Sequence, residues 1–160
     1  MKVIAIFRAV MGLFVVNGLV SGVVNAQTCT PLEIVKGEGT EVTKSVSPPN
    51  VGTIPNLPVG YRGNWDTDFI VPSGNAFSSY QATIRSESSE PATYRVKVYL
   101  KYPDDTTDRV FDNEVELEPG ETQTLKGSPR IDQQPYQVNL NIGGYDSIGY
   151  SYTISVEACP

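Results

Sequence analysis

The sequence predicts an all-β protein, folded as a single antiparallel β-sandwich of jelly-roll or immunoglobulin-like type with seven or eight strands. Three observations support this prediction. Apolar and polar residues alternate with a period of two in several segments, turn-forming residues separate those segments, and no segment sustains a helical period. An up-and-down barrel is the alternative architecture.

Residues 1–26 predict a secretory signal peptide. Lys2 and Arg8 precede a short apolar run, and Val24-Asn25-Ala26 is a small-residue cleavage site. A transmembrane anchor is the alternative, but glycine, asparagine and serine interrupt the apolar stretch, which is short for a span of ~20 residues. We therefore expect a mature domain over residues 27–160, without membrane insertion after cleavage, that is secreted or lies in the periplasm or at the cell surface.

The charge of the chain argues against two classes of partner. The net charge is −6, and the predicted leader removes two basic residues and no acidic one, which leaves the mature domain still more acidic. An acidic domain repels phosphate groups, so we expect no binding to nucleic acid and no attraction to anionic membranes.

Cys29 and Cys159 lie close to the two ends of the mature domain. In an exported protein, two cysteines predict one disulfide. The alternatives are free thiols, an intermolecular bridge and, less favoured, a metal site. An intramolecular bridge implies that the first and last strands are neighbours.

The strands are assigned from the alternation. In chain order, the predicted strands are Leu32 to Val35 or Glu41 to Val46, Trp65 to Val71, Tyr80 to Ile84, Thr93 to Tyr102, Phe111 to Leu117, Gln123 to Lys126, Tyr136 to Ile142, and Ile148 to Val156. Asn113 interrupts the apolar face of one of them. Residues 47–60 contain four prolines and are predicted as a non-strand connection. Leu117 to Thr122 predicts two strands joined by a tight Pro-Gly turn.

Three segments resemble one known family. Asp66 to Gly74 is similar to the D-x-F-x-V-P-x-G strand and turn of bacterial pre-peptidase C-terminal domains. Val98 to Thr106 is similar to their aromatic-rich strand with a D-G-type turn, and Tyr136 to Leu140 with Gly149 to Val156 resembles their closing hairpin. The resemblance extends from Asn64 to Val156.

This resemblance implies a jelly-roll-like sandwich with an accessory, non-catalytic role. Some members bind calcium or extracellular polymers, but the metal ligands of the family have no matching positions in this chain. Two features depart from the family. Its domains are usually appended to a secreted enzyme, and Phe111 to Leu125 is more typical of an immunoglobulin-type hairpin.

The composition favours a protein that is not an enzyme. The chain has no histidine, which excludes Ser-His-Asp and Cys-His nucleophiles and histidine-ligated zinc. A carboxylate-dependent glycoside hydrolase is the distant alternative, because Asp66 and Asp68 would share one strand face. Such an enzyme needs two carboxylates about 5–10 Å apart, one of them with a raised pKa.

One acidic loop is a candidate calcium site. Asp104, Asp105 and Asp108 provide several carboxylates, and calcium takes about six to eight oxygen ligands. The loop lacks the spacing of an EF-hand, and a solvated loop tip is the alternative. A structural calcium ion is the only cofactor that we consider.

Four aromatic residues are candidates for carbohydrate recognition. Trp65, Tyr61, Tyr145 and Tyr99 lie in predicted loops or on polar strand faces. Exposed rings stack on sugar faces, whereas the alternative for Trp65 and most of the tyrosines is a place in the core. We therefore expect a secreted binding or accessory module for a polysaccharide, another envelope component or an extracellular protein. The alternative is a stand-alone structural protein without a small-molecule ligand.

Overall fold

The computed structural model describes residues 28–48, 50–54, 57–62 and 64–160, and for 50–54 and 57–62 it describes the backbone alone. Within these ranges every regular element is a β-strand. The same ranges contain no helix that is long and apolar enough to cross a membrane. The predicted leader lies outside the described residues.

Eleven strands follow one another along the described chain. They are β1 (Thr30–Pro31), β2 (Glu41–Ser45), β3 (Asn50–Ile54), β4 (Leu57–Arg62), β5 (Asp66–Ile70), β6 (Ser79–Ser86), β7 (Ala92–Lys101), β8 (Thr107–Leu117), β9 (Thr122–Gly127), β10 (Gln137–Gly143) and β11 (Ser151–Cys159).

These strands form the predicted antiparallel sandwich. A five-stranded sheet has the order β1-β11-β6-β9, with β2 also paired to β11, and a four-stranded sheet has the order β5-β10-β7-β8. A separate two-stranded sheet consists of β3 and β4. The two main sheets contain one strand more than the upper predicted number, because Thr30–Pro31 pairs with β11 in addition to Glu41–Ser45. The alternative segment Leu32 to Val35 is not a strand, and its Ile34 forms an isolated bridge with Phe69.

The core lies between the inner faces of the two main sheets. Strands β6 and β7 alternate between buried and more exposed positions as the sequence predicted. In β10 and β11 the alternation is interrupted, because the polar residues Asn139 and Thr153 are buried as well. Four tyrosines belong to the largest fully buried side chains: Tyr80, Tyr94, Tyr102 and Tyr152. Their hydroxyls have partners, as when Tyr94 Oη donates to the carbonyl of Ser151 at 2.8 Å. Much of the tyrosine content therefore serves the core.

Three of the predictions on local structure were wrong. Residues 47–60 contain strand β3 and most of β4 rather than a non-strand connection. The last strand begins at Ser151, because Ser147 to Tyr150 form a turn in which the Tyr150 amide donates to the Ser147 carbonyl at 3.0 Å. The Pro119-Gly120 turn does join two strands, β8 and β9, but they belong to different sheets and pair with β7 and β6, so the predicted immunoglobulin-type hairpin over Phe111 to Leu125 was wrong.

A β-bulge explains the irregular pattern of β8. Val98 pairs with Phe111 and Tyr99 pairs with Arg109, so Val110 is an extra residue in β8. The bulge changes the phase of the alternation within the strand. Asn113 is exposed although its partner Val96 is buried, because β8 is the edge strand of its sheet.

The predicted disulfide is confirmed. Cys29 and Cys159 are bonded at an S–S distance of 2.02 Å, and the neighbouring Thr30 pairs with Ala158. The first and last strands are therefore neighbours, as the pairing implied. The bridge closes a loop with a sequence separation of 130 residues.

We predict that the double substitution Cys29→Ser, Cys159→Ser lowers the free energy of unfolding by about 4 kcal/mol, because without the disulfide the unfolded chain gains conformational entropy. Urea unfolding of both proteins, each with and without a thiol reductant, measures this difference. The reductant should destabilise the wild type and leave the double variant unchanged. Equal stability of the oxidised wild type and the variant would contradict the prediction.

Candidate functional site

The outer face of the four-stranded sheet carries a continuous row of polar and aromatic side chains. Asp68 of β5 pairs with Asn139 of β10, Asn139 with Tyr99 of β7, and Tyr99 with Arg109 of β8. The neighbours of these residues along β5, β7 and β10 are buried in the core, so alternation places the row on the outer face.

Two further rows flank the central one. One consists of Ile70, Gln137, Lys101 and Thr107, and the other of Asp66, Asn141, Lys97 and Asp112. This outer face therefore carries carboxylates, amides, basic groups and one half-exposed tyrosine ring at its centre.

The polar groups around Asp68 fix one another in place. The Asp68 carboxylate accepts hydrogen bonds from Asn139 Nδ2 at 2.8 Å and from Lys101 Nζ at 3.0 Å. Partial burial favours the neutral acid, but the hydrogen bonds from Asn139 and Lys101 outweigh it and lower the pKa of Asp68. The carboxylate is therefore ionised at neutral pH and holds both donors on the outer face.

A shallow cleft adjoins this face beside β5. It has a volume of about 370 Å³, and Ile34, Val42 and Lys44 are among its lining residues together with the β5 residues Asp66 and Asp68. Lys44 Nζ donates to the Asp66 carbonyl at 2.9 Å and to Thr67 Oγ1 at 3.1 Å. Desolvation lowers the pKa of Lys44, although Asp66 and Asp68 oppose this shift.

Trp65 and Tyr145 lie together at one end of the sheet. Their rings meet edge to face with centroids 6.4 Å apart, and Trp65 Nε1 donates to the Ser47 carbonyl at 2.9 Å. Trp65 is half-buried and packs partly against the core, whereas Tyr145 is 67% exposed. Trp65 thus combines the two alternatives that the sequence left open.

A turn after β10 presents the Tyr145 ring. The hydroxyl of the buried Ser147 donates to the carbonyls of Gly143 and Gly144 at 2.6 and 3.0 Å. Gly144 has a φ of 117°, which favours glycine. Sequence analysis did not single out Ser147, which holds this turn closed.

A third aromatic ring lies at the opposite end. Tyr136, predicted on the inward face of a strand, precedes β10 and is 48% exposed. It lines a shallow depression with Ile70 and Pro72 that continues the outer face. Tyr136 lies before the first residue of β10, Gln137, and its side chain is not part of the core.

The other predicted binding residues have different outcomes. Tyr99 lies at the centre of the outer face, opposite Asn139 of β10. Gly143, against which Trp65 packs, comes four residues after Asn139 on that strand. Tyr61 belongs to β4, opposite Val51, and its side chain lies outside the described residues. A binding role for these residues stays a prediction.

The acidic loop is paired with an arginine from another part of the chain, Arg130. Arg130 Nη2 and Nε donate to the two carboxylate oxygens of Asp108 at 2.6 and 2.9 Å, and Arg130 Nη1 lies 3.4 Å from Asp104 Oδ2. The hydrogen bond from Arg130 lowers the pKa of Asp108, and that from Thr106 lowers the pKa of Asp104.

These contacts do not support the predicted calcium site at Asp104, Asp105 and Asp108. Arg130 is already paired with two of the three carboxylates, and its guanidinium carbon lies 4.0 Å from the centroid of the Tyr102 ring. In the described part of the chain, no group of three or more His, Cys, Asp or Glu side chains is arranged to hold a metal ion. The loop is thus fastened to the β9–β10 connection by an ion pair.

Asp66 and Asp68 share one face, as the hydrolase alternative required, since they pair with Asn141 and Asn139. A general acid needs a raised pKa, whereas the pKa of Asp68 is lowered. Asp68 is therefore unsuited to protonate a glycosidic oxygen.

Several residues of this face were not identified from the sequence as candidates. Asn139, Lys101 and Arg109 surround Tyr99 only because β5, β10, β7 and β8 pair in this register. From the sequence alone, the alternation of β7 predicted only that Tyr99 shares a polar face with Lys97 and Lys101.

We predict that Gly143→Ala displaces the Trp65 ring, because an added Cβ would lie 2.3 Å from ring atom Cδ2. This overpacking should cost about 1–3 kcal/mol of stability. It should also shift the fluorescence of Trp65, the single tryptophan of the chain, to longer wavelength.

Gly37→Ala is the matched control, since its nearest contact is a mobile methyl group of Ile34 at 3.0 Å. The emission of this control should equal that of the wild type. An unchanged spectrum and melting curve for Gly143→Ala would show that Trp65 does not pack there.

Comparison with known proteins found no matching protein-family model and no matching curated protein. The chain is similar to solved structures of family 29 carbohydrate-binding modules, two of which are point variants of CBM29-2. The two CBM29-2 variants have 12% and 14% identity and TM-scores of 0.42 and 0.37, covering 83% and 75% of this chain and 91% and 87% of theirs. A third, a family 29 variant, has 14% identity and a TM-score of 0.31, covering 74% of this chain and 92% of its own. Such values assign neither a ligand nor a site residue to this chain, and the resemblance to pre-peptidase C-terminal domains stays a prediction.

Proposed function

We propose that this protein is a secreted, non-catalytic module that binds polysaccharide on the outer face of the four-stranded sheet. The observation that carries this proposal is the central, half-exposed position of Tyr99, with the exposed Arg109 on one side and, on the other, Asn139, which is itself buried. A pyranose ring offers an apolar C–H face to an aromatic ring and hydroxyls to amide and basic groups around it.

The three aromatic positions suit a polymer better than a single sugar. Tyr136 lies three positions before Asn139 on the chain, and Gly143, beneath Trp65, lies four positions after it. At about 3.3 Å for each strand residue, these positions extend along some 23 Å of the face. A ligand that contacts all three must be an extended chain.

The polar groups of this face are held before any ligand arrives. Asp68 fixes Asn139 and Lys101, and Asn141 Nδ2 donates to Asp66 Oδ1 at 3.1 Å. Side chains that are already ordered lose little entropy on binding, which favours affinity.

The opposite face of the sandwich provides an internal comparison. The outward residues of β6, β9 and β11 are mostly small and hydroxylated, with Thr83 and Thr124 in contact at 3.4 Å and Thr153 bonded to Glu87 at 2.7 Å. Among the described residues of these strands, no aromatic ring lies on that outer face. Of these two outer faces, as far as their side chains are described, the one on the four-stranded sheet carries the stacking platforms.

We predict that Tyr99→Ala weakens binding to the best polysaccharide ligand about tenfold, because the stacking platform is lost. Affinity electrophoresis in gels that contain individual plant, fungal or bacterial polysaccharides measures the retardation of each variant. Tyr99→Phe keeps the ring and should bind nearly as well as the wild type. Thr124→Ala, on the other sheet, should bind unchanged.

A melting curve for each variant separates loss of binding from loss of folding. If Tyr99→Ala is destabilised, Tyr145→Ala provides the second test, since its ring is exposed and can be removed at little cost to the core. Retardation by no polysaccharide, or equal retardation of all variants, would refute the proposed function and favour a structural protein without such a ligand.

A further inference from the structure

The charge around Tyr99 differs from that of the whole chain. The sequence has 18 acidic and 12 basic residues. Yet the three charged residues nearest to Tyr99 in the register are basic: Lys97 and Lys101 on its own strand and Arg109 directly opposite on β8. Lys101 is paired with Asp68, and Asp112 lies diagonally across from Tyr99. Same-face residues of one strand lie about 6.6 Å apart, and directly opposite Cβ atoms about 4.5–5.5 Å apart. A group stacked on Tyr99 is therefore within reach of all three basic side chains.

Among the residues that the structure describes, part of this positive charge has no counterion. Asp112 accepts from Arg109 Nη1 at 2.7 Å and also from Arg95 Nη2, so one carboxylate serves two guanidinium groups. Lys97 pairs with Asp112 in the register, but across the described residues no carboxylate oxygen lies within 4.0 Å of its ammonium group. Glu114 lies opposite Arg95, on the side of the cluster away from Tyr99.

The cluster of Arg95, Lys97, Arg109 and Asp112 thus has three positive charges and one negative charge, and Glu114 opposite Arg95 adds a second carboxylate. Asp112 is only 18% exposed, whereas Arg95 and Arg109 are 45% and 56% exposed. The partly buried carboxylate orients the two guanidinium groups, which themselves remain substantially exposed. A guanidinium binds carboxylate or sulfate oxygens with two parallel hydrogen bonds, which requires such an orientation.

We infer that the ligand of this face is an acidic polysaccharide, whose carboxylate or sulfate groups bind Lys97, Arg95 and Arg109 while a sugar ring stacks on Tyr99. This inference rests on the proposed function and specifies its substrate class. A neutral polymer would cover the unpaired Lys97 and leave its charge desolvated without a partner, which is unfavourable.

The test compares five soluble probes at low ionic strength, one of which is single-stranded DNA. Polygalacturonate supplies carboxylates, dextran sulfate supplies sulfates, glucomannan is neutral, and polyglutamate is an acidic polymer without sugar rings. We expect polygalacturonate or dextran sulfate to retard the full chain more strongly than glucomannan or polyglutamate. Whichever acidic glycan binds more tightly identifies the anionic group. Added salt should weaken this binding, since the pairs are partly exposed to solvent.

Substitutions then assign the binding to the cluster. Lys97→Gln should weaken binding of the acidic glycan about fivefold, the effect of one partly exposed ion pair. Lys126→Gln on the other sheet makes the same change of charge and should leave binding unchanged. Lys97 has no ion pair to lose among the described residues, so Lys97→Gln should melt like the wild type.

Two outcomes would overturn the inference separately from the proposed function. Retardation by glucomannan alone would keep polysaccharide binding at this face and refute the acidic ligand. Equal retardation by polyglutamate or by single-stranded DNA would show an unspecific anion-binding surface instead of a glycan site. If Lys97→Gln and Lys126→Gln weaken binding equally, the cluster is not the site.

Discussion

The register between β7 and β10 determines both the core and the candidate site. Val98 pairs with Leu140 on the inner face, and this pairing places Tyr99 beside Asn139 on the outer face. A slip by one residue would bury the polar row and expose the apolar one, so burial of the core selects this single register. β10 also pairs with β5, which adds Asp68 to the same row. The arrangement of the outer face is therefore a consequence of packing inside the sandwich.

The other sheet depends on its last strand. β11 pairs with β1, β2 and β6, and the disulfide at its end fixes the first strand to it. The first and last strands are thus paired within the five-stranded sheet, whose inner face packs against the inner face of the four-stranded sheet. This packing allows the outer face of the four-stranded sheet to hold its side chains in fixed positions. Asp68 and Asp112 each orient two donor groups, which is the kind of preorganisation that a binding surface needs.

The sequence was sufficient for features that depend on local pattern. The strict alternation of β7 predicted its strand and its two faces, and the terminal cysteines predicted the disulfide. Contacts between distant segments could not be predicted, because a single sequence does not give the strand order. The pairing of Arg130 with Asp108 and that of Asn139 with Asp68 are of this kind. Local sequence context also gave two wrong predictions. The prolines of residues 47–60 suggested an irregular connection, but this segment contributes to the small sheet of β3 and β4. Tyr136 continued the apolar alternation of β10 in the sequence, but it lies before that strand and is exposed.

The central claim is that the outer face of the four-stranded sheet binds polysaccharide. The most direct measurement is a titration of the isotopically labelled protein, followed by amide chemical shifts, with soluble fragments of the polysaccharide that retards it most strongly. The account predicts that the perturbed amides cluster at Tyr99, Asn139 and Lys97 and extend to the turn around Tyr145. Perturbations confined to β6, β9 and β11, or shifts spread over the molecule without a cluster, would contradict it.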